Sequence, residues 1–209
     1  MKKKLIIIGA GGHGKVCADI AQQLSKWENI YFMDDDNEEK FHFGYRIIGK
    51  TDSITNYINS CDYFVAIGNN NIREHITTKL ESVNASITTL IHPQSIINSK
   101  VEIGPGTAIM AGAIINSDTK IGKGVIVNTG STVDHDNLIG DFVHISPGCN
   151  LAGDVSIGSR TWIGIDATIV NKVDVNKDSI IGAKSLVLED IPKPGTYIGM
   201  PAKIKNIET

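Results

Sequence analysis

The sequence predicts two domains of different class, an α/β domain on a small parallel sheet followed by an all-β domain coiled as a parallel solenoid. Three observations carry this reading. From Ile97 to Val187 every sixth residue is aliphatic, with no insertion. A second register lies four residues after each aliphatic, from Val101 and Thr107 to Ser179 and Ser185, and is nearly all small or β-branched. Before residue 90 that period is absent, and strands alternate with helices around glycine-rich and acidic turns. A fixed short period marks a solenoid. A repeat of six fits neither the helical period of about 3.6 nor plain strand alternation.

The first domain, residues 1–90, opens on the apolar run Lys4–Ile8. Met1-Lys2-Lys3-Lys4 ahead of that run faintly imitates a signal peptide, but the run is short and meets a glycine-rich turn at once, so it reads as a buried strand. Gly9-Ala10-Gly11-Gly12-His13-Gly14 has the spacing G-x-G-x-x-G, and Lys15–Leu24 has apolar spacing suited to a helix. Glycines there let a phosphate approach the backbone at a helix N-terminus. The alternative is a tight turn and nothing more. Ile30–Met33 is a second strand ending at Asp34-Asp35-Asp36, and Tyr63–Ile67 a third ending at Gly68-Asn69-Asn70-Asn71, before a helix from Ile72. Ligands of such sheets bind at the carboxyl ends of the strands. Asp34 and Asp35 are placed to accept hydrogen bonds from a ribose or base, and Asn69 and Asn70 either contact base or sugar or cap the next helix. No room remains for a dehydrogenase's second domain, so a nucleotide sugar is the better ligand for the glycine turn than a dinucleotide.

The second domain, residues 91–191, follows from the six-residue unit, which holds one short strand and one tight corner. Three units close a triangular coil of eighteen residues, and the sixteen rungs make about five coils. The aliphatic residues point inward and stack, and the small residues fit where the corners narrow. Gly, Asn or Asp often follows the aliphatic, as at Gly104, Gly122, Gly140, Gly158, Gly164 and Gly182. Such residues are expected there for the unusual backbone angles of a corner. A β-sandwich is the competing fold, but its loops vary in length and would break the register. Cys149 falls in the small-residue register and reads as core.

The outward positions are bland except for Thr132-Val133-Asp134-His135-Asp136-Asn137. His135 lies two residues after an inward aliphatic and points out. A carboxylate beside an imidazole orients it and makes it more basic, which suits removing a proton from an amine or hydroxyl. His144, nine residues on, falls on another face of the coil. Residues 192–209 form a tail whose Lys193, Lys203 and Lys205 are either solvated or available to a phosphate.

Composition bounds the function. The chain has 209 residues and a net charge of -3, which argues against a nucleic-acid partner. No apolar run is long enough for a membrane span. Cys17, Cys61 and Cys149 are scattered, show no metal-ligand spacing and suit a reducing, cytoplasmic setting.

The whole chain resembles the bacterial sugar acetyltransferases that join a Rossmann-like nucleotide-sugar domain to a left-handed parallel β-helix of hexapeptide repeats, the pattern of the bacillosamine-pathway UDP-4-amino-sugar N-acetyltransferases. The resemblance rests on Gly9–Val16, Asp34-Asp35, Ala66–Asn70, Ile91-His92, Asn128-Thr129, Asp134-His135-Asp136, His144-Ile145-Ser146 and Gly199–Lys203. The left hand is implied by the resemblance and opposes the usual crossover rule. The resemblance implies that His135 is the general base. Asp136 stands where the family usually has Glu, and Asp134 is a second candidate for its partner. It implies that His144 lies by the acetyl group of acetyl-CoA, and that the backbones of Gly153, Ile165 and Ala183 meet the pantetheine arm, Ala183 replacing a usual glycine. Gly11, Gly12, His13, Asp34, Asp35 and Gly68 match nucleotide-sugar contacts.

The function expected is acetyl-CoA-dependent N-acetylation of a nucleotide-activated amino-dideoxy sugar for glycan synthesis, a UDP-4-amino sugar being favoured, without a metal, in a homotrimer with sites between subunits. O-acetylation of sialic acid or another sugar hydroxyl is the enzymatic alternative, and a noncatalytic nucleotide-sugar scaffold the other. The segment Glu38–Ser60 looks longer than the family needs and either shapes the sugar pocket or lengthens a loop.

Overall fold

The computed structural model describes residues 4–36, 39–58 and 60–205. Glu38 and Asn59 of the 38–60 segment, Met1–Lys3 and the last four residues of the tail lie outside the described residues. Two compact units divide the chain, Met1–Pro93 and Gln94–Thr209.

In the first unit β1 (Lys4–Ile8) is the centre of the sheet. It pairs in parallel with β2 (Asn29–Met33) on one side and β5 (Cys61–Val65) on the other. Between them in sequence, β3 (Phe41–His42) and β4 (Tyr45–Ile47) form a short antiparallel hairpin, and β4 also pairs with β2. A 3-10 turn, Thr51–Asn56, and a last strand, β6 (Ser86–Ile87), complete the unit with helices α1 (Gly12–Leu24) and α2 (Asn70–Ser82). Leu5, Ile6, Ile7 and Ile8 are all at most 1% exposed. A strand buried on both faces needs such an unbroken apolar run. Ile6 and Ile8 join Met33, Tyr63, Val65 and Leu80 in one core cluster. The third strand ends two residues earlier than its apolar run, at Val65, because its register is fixed by Ile8↔Val65 at the end of β1. Strand order reverses across β1, so the carboxyl ends of β1, β2 and β5 open on a crevice of the kind that takes ligands.

The second unit is a parallel β-helix. Two-residue strands stack at eighteen-residue intervals into three faces. The first runs through Ile126–Val127, His144–Ile145 and Trp162–Ile163, the second through Ile114–Ile115, Thr132–Val133 and Asn150–Leu151, and the third through Lys120–Ile121, Leu138–Ile139 and Ser156–Ile157. Every pairing along a face is parallel and shifted by one full coil, as in Ile115↔Val133↔Leu151. The inward aliphatics from Ile109 to Val187 are at most 4% exposed. Truncating one such residue to Ala costs about 2–5 kcal/mol. The segment beyond residue 192 adds Thr196–Ile198 to the first face in parallel and folds Lys203–Ile204 back on it.

The corners correct one expectation. Glycines directly after the aliphatics, such as Gly104, Gly122, Gly140 and Gly158, do not have positive φ. A Cβ at any of the four would lie 2.3–2.7 Å from an atom of the next coil, backbone in every case but Gly122, where Asp141 Oδ1 comes nearest. Close stacking of corner on corner is therefore what requires glycine there. The left-handed backbone sits two residues later, at every sixth position from Lys100 to Lys184, and only some of these are glycine. Asp136 is one of them, with φ 60. Among the described residues no helix is long and apolar enough to cross a membrane.

Candidate functional site

The first candidate site is the crevice at the ends of β1, β2 and β5, a cleft of about 550 Å³. Its lining includes Gly11, Gly12, His13, Asp34, Asp35 and Gly68, with Thr51, Ile72 and Ile76 added by the structure. The glycines of the motif divide by role. Gly9 has φ +102, and a Cβ on Gly14 would strike the Gly9 carbonyl oxygen, so both serve the strand-to-helix turn. A Cβ on Gly11, Gly12 or Gly68 would meet nothing within 4 Å. Internal packing does not demand glycine at those three, and they leave open space at the N-terminus of α1, where backbone N–H groups favour an anion.

The acidic pair is tied into the fold. Asp34 accepts a hydrogen bond from the Ala10 backbone N–H at 2.6 Å and another from Asp36, linking the β2 end to the glycine turn. Asp35 accepts from the Thr51 N–H and hydroxyl, at 2.7 and 2.8 Å, which holds the start of the 3-10 turn over the cleft. Asn69 does not line the cleft. Its side chain caps α2 by accepting from the Ile72 N–H at 3.1 Å. Arg73, 1% exposed, braces the same loop by donating to the Ile67 and Gly68 carbonyls and to Asn70. Nothing in the sequence singles out Arg73, since a polar residue four places after a cap ordinarily faces water. His13 is held down to about 4, first by burial and then by the Arg73 charge, so its imidazole is neutral near pH 7.

The second candidate site is the corner after Val133. His135 Nδ1 lies 2.8 Å from Asp136 Oδ2, and the His135 side chain is 59% exposed. The left-handed backbone at Asp136 turns its carboxylate back onto the preceding ring. Asp134 is not bonded to the imidazole. It accepts from the His135 backbone N–H at 2.9 Å and from Asn116 at 2.8 Å, and Asn116 accepts in turn from Asn98. Those bonds, Asn116 first, hold the Asp134 carboxyl below its ordinary range. Asp136 raises the His135 imidazole above its ordinary value, with the charges of Asp134 and Asp154 adding to it.

Gly153 lies one coil on from His135, and a Cβ there would lie 2.6 Å from the imidazole. The structure thus brings Gly153 to His135, while Ile165 and Ala183 stack on each other at the corner after the first face, where Lys184 donates to the Ile165 carbonyl. His144 is half-buried on the first face. Its Nε2 is 3.2 Å from Asn128 Nδ2, and its ring stacks on Trp162 at 6.1 Å. Trp162 carries a signal visible in the sequence, an outward aromatic one full coil after an outward histidine. A groove of about 820 Å³ on the third face of the solenoid contains neither histidine. A smaller one on the second face, about 490 Å³, reaches Asp134. Cys149 is core, with its thiol donating to the Gly164 carbonyl at 3.0 Å and pushed up to about 11 by burial.

Comparison with known proteins gives a consistent result. Residues 4–80 match the PglD N-terminal domain, and residues 100–135 the bacterial transferase hexapeptide (six repeats). The acetyltransferase domain of PglB from Neisseria gonorrhoeae, solved in complex with acetyl coenzyme A, is 38% identical, with 98% of this chain and 100% of that one covered and a TM-score of 0.94. PerB from Caulobacter crescentus, solved with CoA and GDP-perosamine, is 34% identical over 97% of each chain, with a TM-score of 0.92. A UDP-N-acetylbacillosamine N-acetyltransferase of Bacillus subtilis is 36% identical over 113 residues, 52% of each chain. Two domain matches in this order, and whole-length likeness to these structures, place the chain in the family of hexapeptide-repeat acetyltransferases that carry a PglD-type N-terminal domain ahead of a left-handed β-helix.

Proposed function

We propose that the chain transfers the acetyl group of acetyl-CoA to the amino group of a nucleotide-activated amino-dideoxy sugar, a UDP-4-amino sugar before others, with His135 as general base. The observation that carries this is the 2.8 Å contact of Asp136 with His135 Nδ1 on an exposed imidazole. That bond favours the tautomer with hydrogen on Nδ1 and leaves Nε2 as the acceptor. Nε2 removes a proton from the sugar nitrogen as that nitrogen attacks the thioester carbonyl. A backbone N–H stabilises the oxyanion. Collapse breaks the carbon–sulfur bond, and the departing thiolate takes its proton from the imidazolium, giving the amide and CoA.

The open space over Gly11, Gly12 and Gly68 supports a nucleotide diphosphate in the first unit. The B. subtilis relative is named for a UDP sugar, and the C. crescentus relative holds GDP-perosamine. His144, Ile165 and Ala183 stand on a different face and corner from His135 and Gly153. This supports a homotrimer in which neighbouring chains complete each site, checked by sedimentation equilibrium. The decisive assay offers acetyl-CoA with UDP-, dTDP- and GDP-4-amino sugars and with sialic acid. Fastest turnover of the UDP-4-amino sugar is expected, and preferred acetylation of a hydroxyl overturns the reading.

A further inference from the structure

The small-residue register runs along the inside of the corners, and several of its polar members share one habit. Thr107, Thr119, Cys149 and Thr161 each donate to the carbonyl fifteen residues on, at Gly122, Asp134, Gly164 and Asn176, tying one corner to the next coil. Asn137, fully buried, occupies this register directly after the His135–Asp136 pair. It makes the same link, from Nδ2 to the Ala152 carbonyl at 3.0 Å, but its longer side chain also reaches back into its own turn. The same nitrogen is 2.6 Å from the Asp134 carbonyl and 3.3 Å from that of His135. All three neighbours are acceptors, so the amide orientation is fixed with nitrogen toward them. Its Oδ1 has no hydrogen-bond partner.

An orphaned buried acceptor costs stability, and such groups in a native structure call for a reason. Support of Asp134 is not the reason, because Thr119 already donates to that carbonyl at 2.8 Å. What Asn137 adds is a link between the turn that carries His135 and Ala152, the residue before Gly153, whose missing Cβ leaves room for the imidazole. The two walls of the imidazole's seat are joined through one side-chain amide.

We infer that Asn137 is a positioning residue, holding the His135 turn and the Gly153 corner at the separation that keeps the imidazole aligned with Asp136. The inference rests on the general-base reading of His135. It is tested in the full chain by Asn137→Ala, a residue type without a donor that the register already holds at Ala113 and Ala167, beside His135→Ala and Ser179→Ala. Ser179 is another buried register position with an unpartnered side-chain oxygen. With acetyl-CoA and the UDP-4-amino sugar, Asn137→Ala should lower kcat about tenfold, leave KM for both substrates within twofold, and shift the acid limb of the kcat–pH profile. The imidazole faces Asp134, Asp136 and Asp154. Losing its alignment with Asp136 moves that limb to lower pH. Ser179→Ala should retain wild-type kcat.

If Asn137→Ala keeps wild-type kcat and pH profile while His135→Ala is inactive, the positioning role is overturned and the base assignment stands. If His135→Ala stays active, both fall. A loss of activity in Asn137→Ala with no shift in the pH profile also overturns the positioning role, since that is what a general packing defect gives. Should the alanine variant not fold, Asn137→Val replaces it, with the donor-free residue type that Val155 supplies one coil later at the same corner.

Discussion

The two candidate sites handle their polar residues in opposite ways. On the β-helix, the His135 side chain stands out from a corner whose shape is already set by backbone ladders and the inward aliphatics. Among the described residues its side-chain partner is the carboxylate that tunes it. In the α/β unit, Asp34, Asp35 and Asn69 are built into the turns that form the cleft. A repetitive scaffold frees its exceptions for chemistry. An aperiodic one spends polar groups on holding its loops together, so substitutions there mix binding with stability.

The contrast is sharpest at His135. His135→Ala should lower kcat by about 10²–10⁴-fold, the range for loss of a general base, with the melting temperature unchanged because the side chain is exposed. Retention of most of kcat would break the comparison. Gly153→Ala follows. The added methyl overlaps the imidazole, and since an exposed ring can swing aside, stability should hold while kcat falls about tenfold, worth about 1.4 kcal/mol in transition-state stabilisation. Rate profiles against pH test Asp136. The wild-type acid limb should lie above the ordinary histidine range, because the base works unprotonated and Asp136 favours its protonated form. Asp136→Asn should move that limb to lower pH and reduce the plateau.

The first unit should respond otherwise. Asp34→Ala removes the acceptor of the Ala10 N–H, and leaving such a donor without its partner costs about 1–3 kcal/mol. Thermal denaturation should show that loss together with a higher KM for the nucleotide sugar, whereas the His135 variants should show neither. The smallest effect expected is at His13. Its folded pKa, about 4, lies below the ordinary histidine value of about 6.5. The unfolded chain therefore binds a proton first as pH falls. The stability that neutral His13 contributes is complete above about pH 6.5 and lost on the way to pH 4. His13→Gln should reduce the difference in melting temperature between pH 7 and pH 5.

What could be read from the sequence follows the same division. Rungs, coil length, parallel stacking and the outward setting of His135 and His144 all follow from counting in sixes, because each coil repeats the geometry of the last. The His135–Asp136 contact was readable as adjacency, but choosing Asp136 over Asp134 required the left-handed backbone at Asp136, which composition does not reveal since Lys, Arg and Phe adopt it elsewhere in the same register. At the corner glycines the sequence points to backbone angle, whereas the requirement is clearance between coils, a contact across eighteen residues. In the α/β unit, strands and helices emerged from apolar runs. The turn from Gly9 to Gly14 could not be divided by role, since Gly11 and Gly14 differ only in what stands opposite them in space. Arg73 left no trace at all, because a buried guanidinium satisfied by carbonyls has no sequence signature.

The uniform coil has a further consequence for how this chain tolerates changes of length. Adding or removing eighteen residues within the ladder would lengthen or shorten the prism by one storey and leave every later side chain on its original face. Adding six would carry each later residue one face onward, taking Trp162 off the wall it shares with His144. Lengths that are not multiples of six preserve neither register. Length variation in this half of the molecule is thus quantised, and any drift in gene length that preserves the geometry must come in whole storeys.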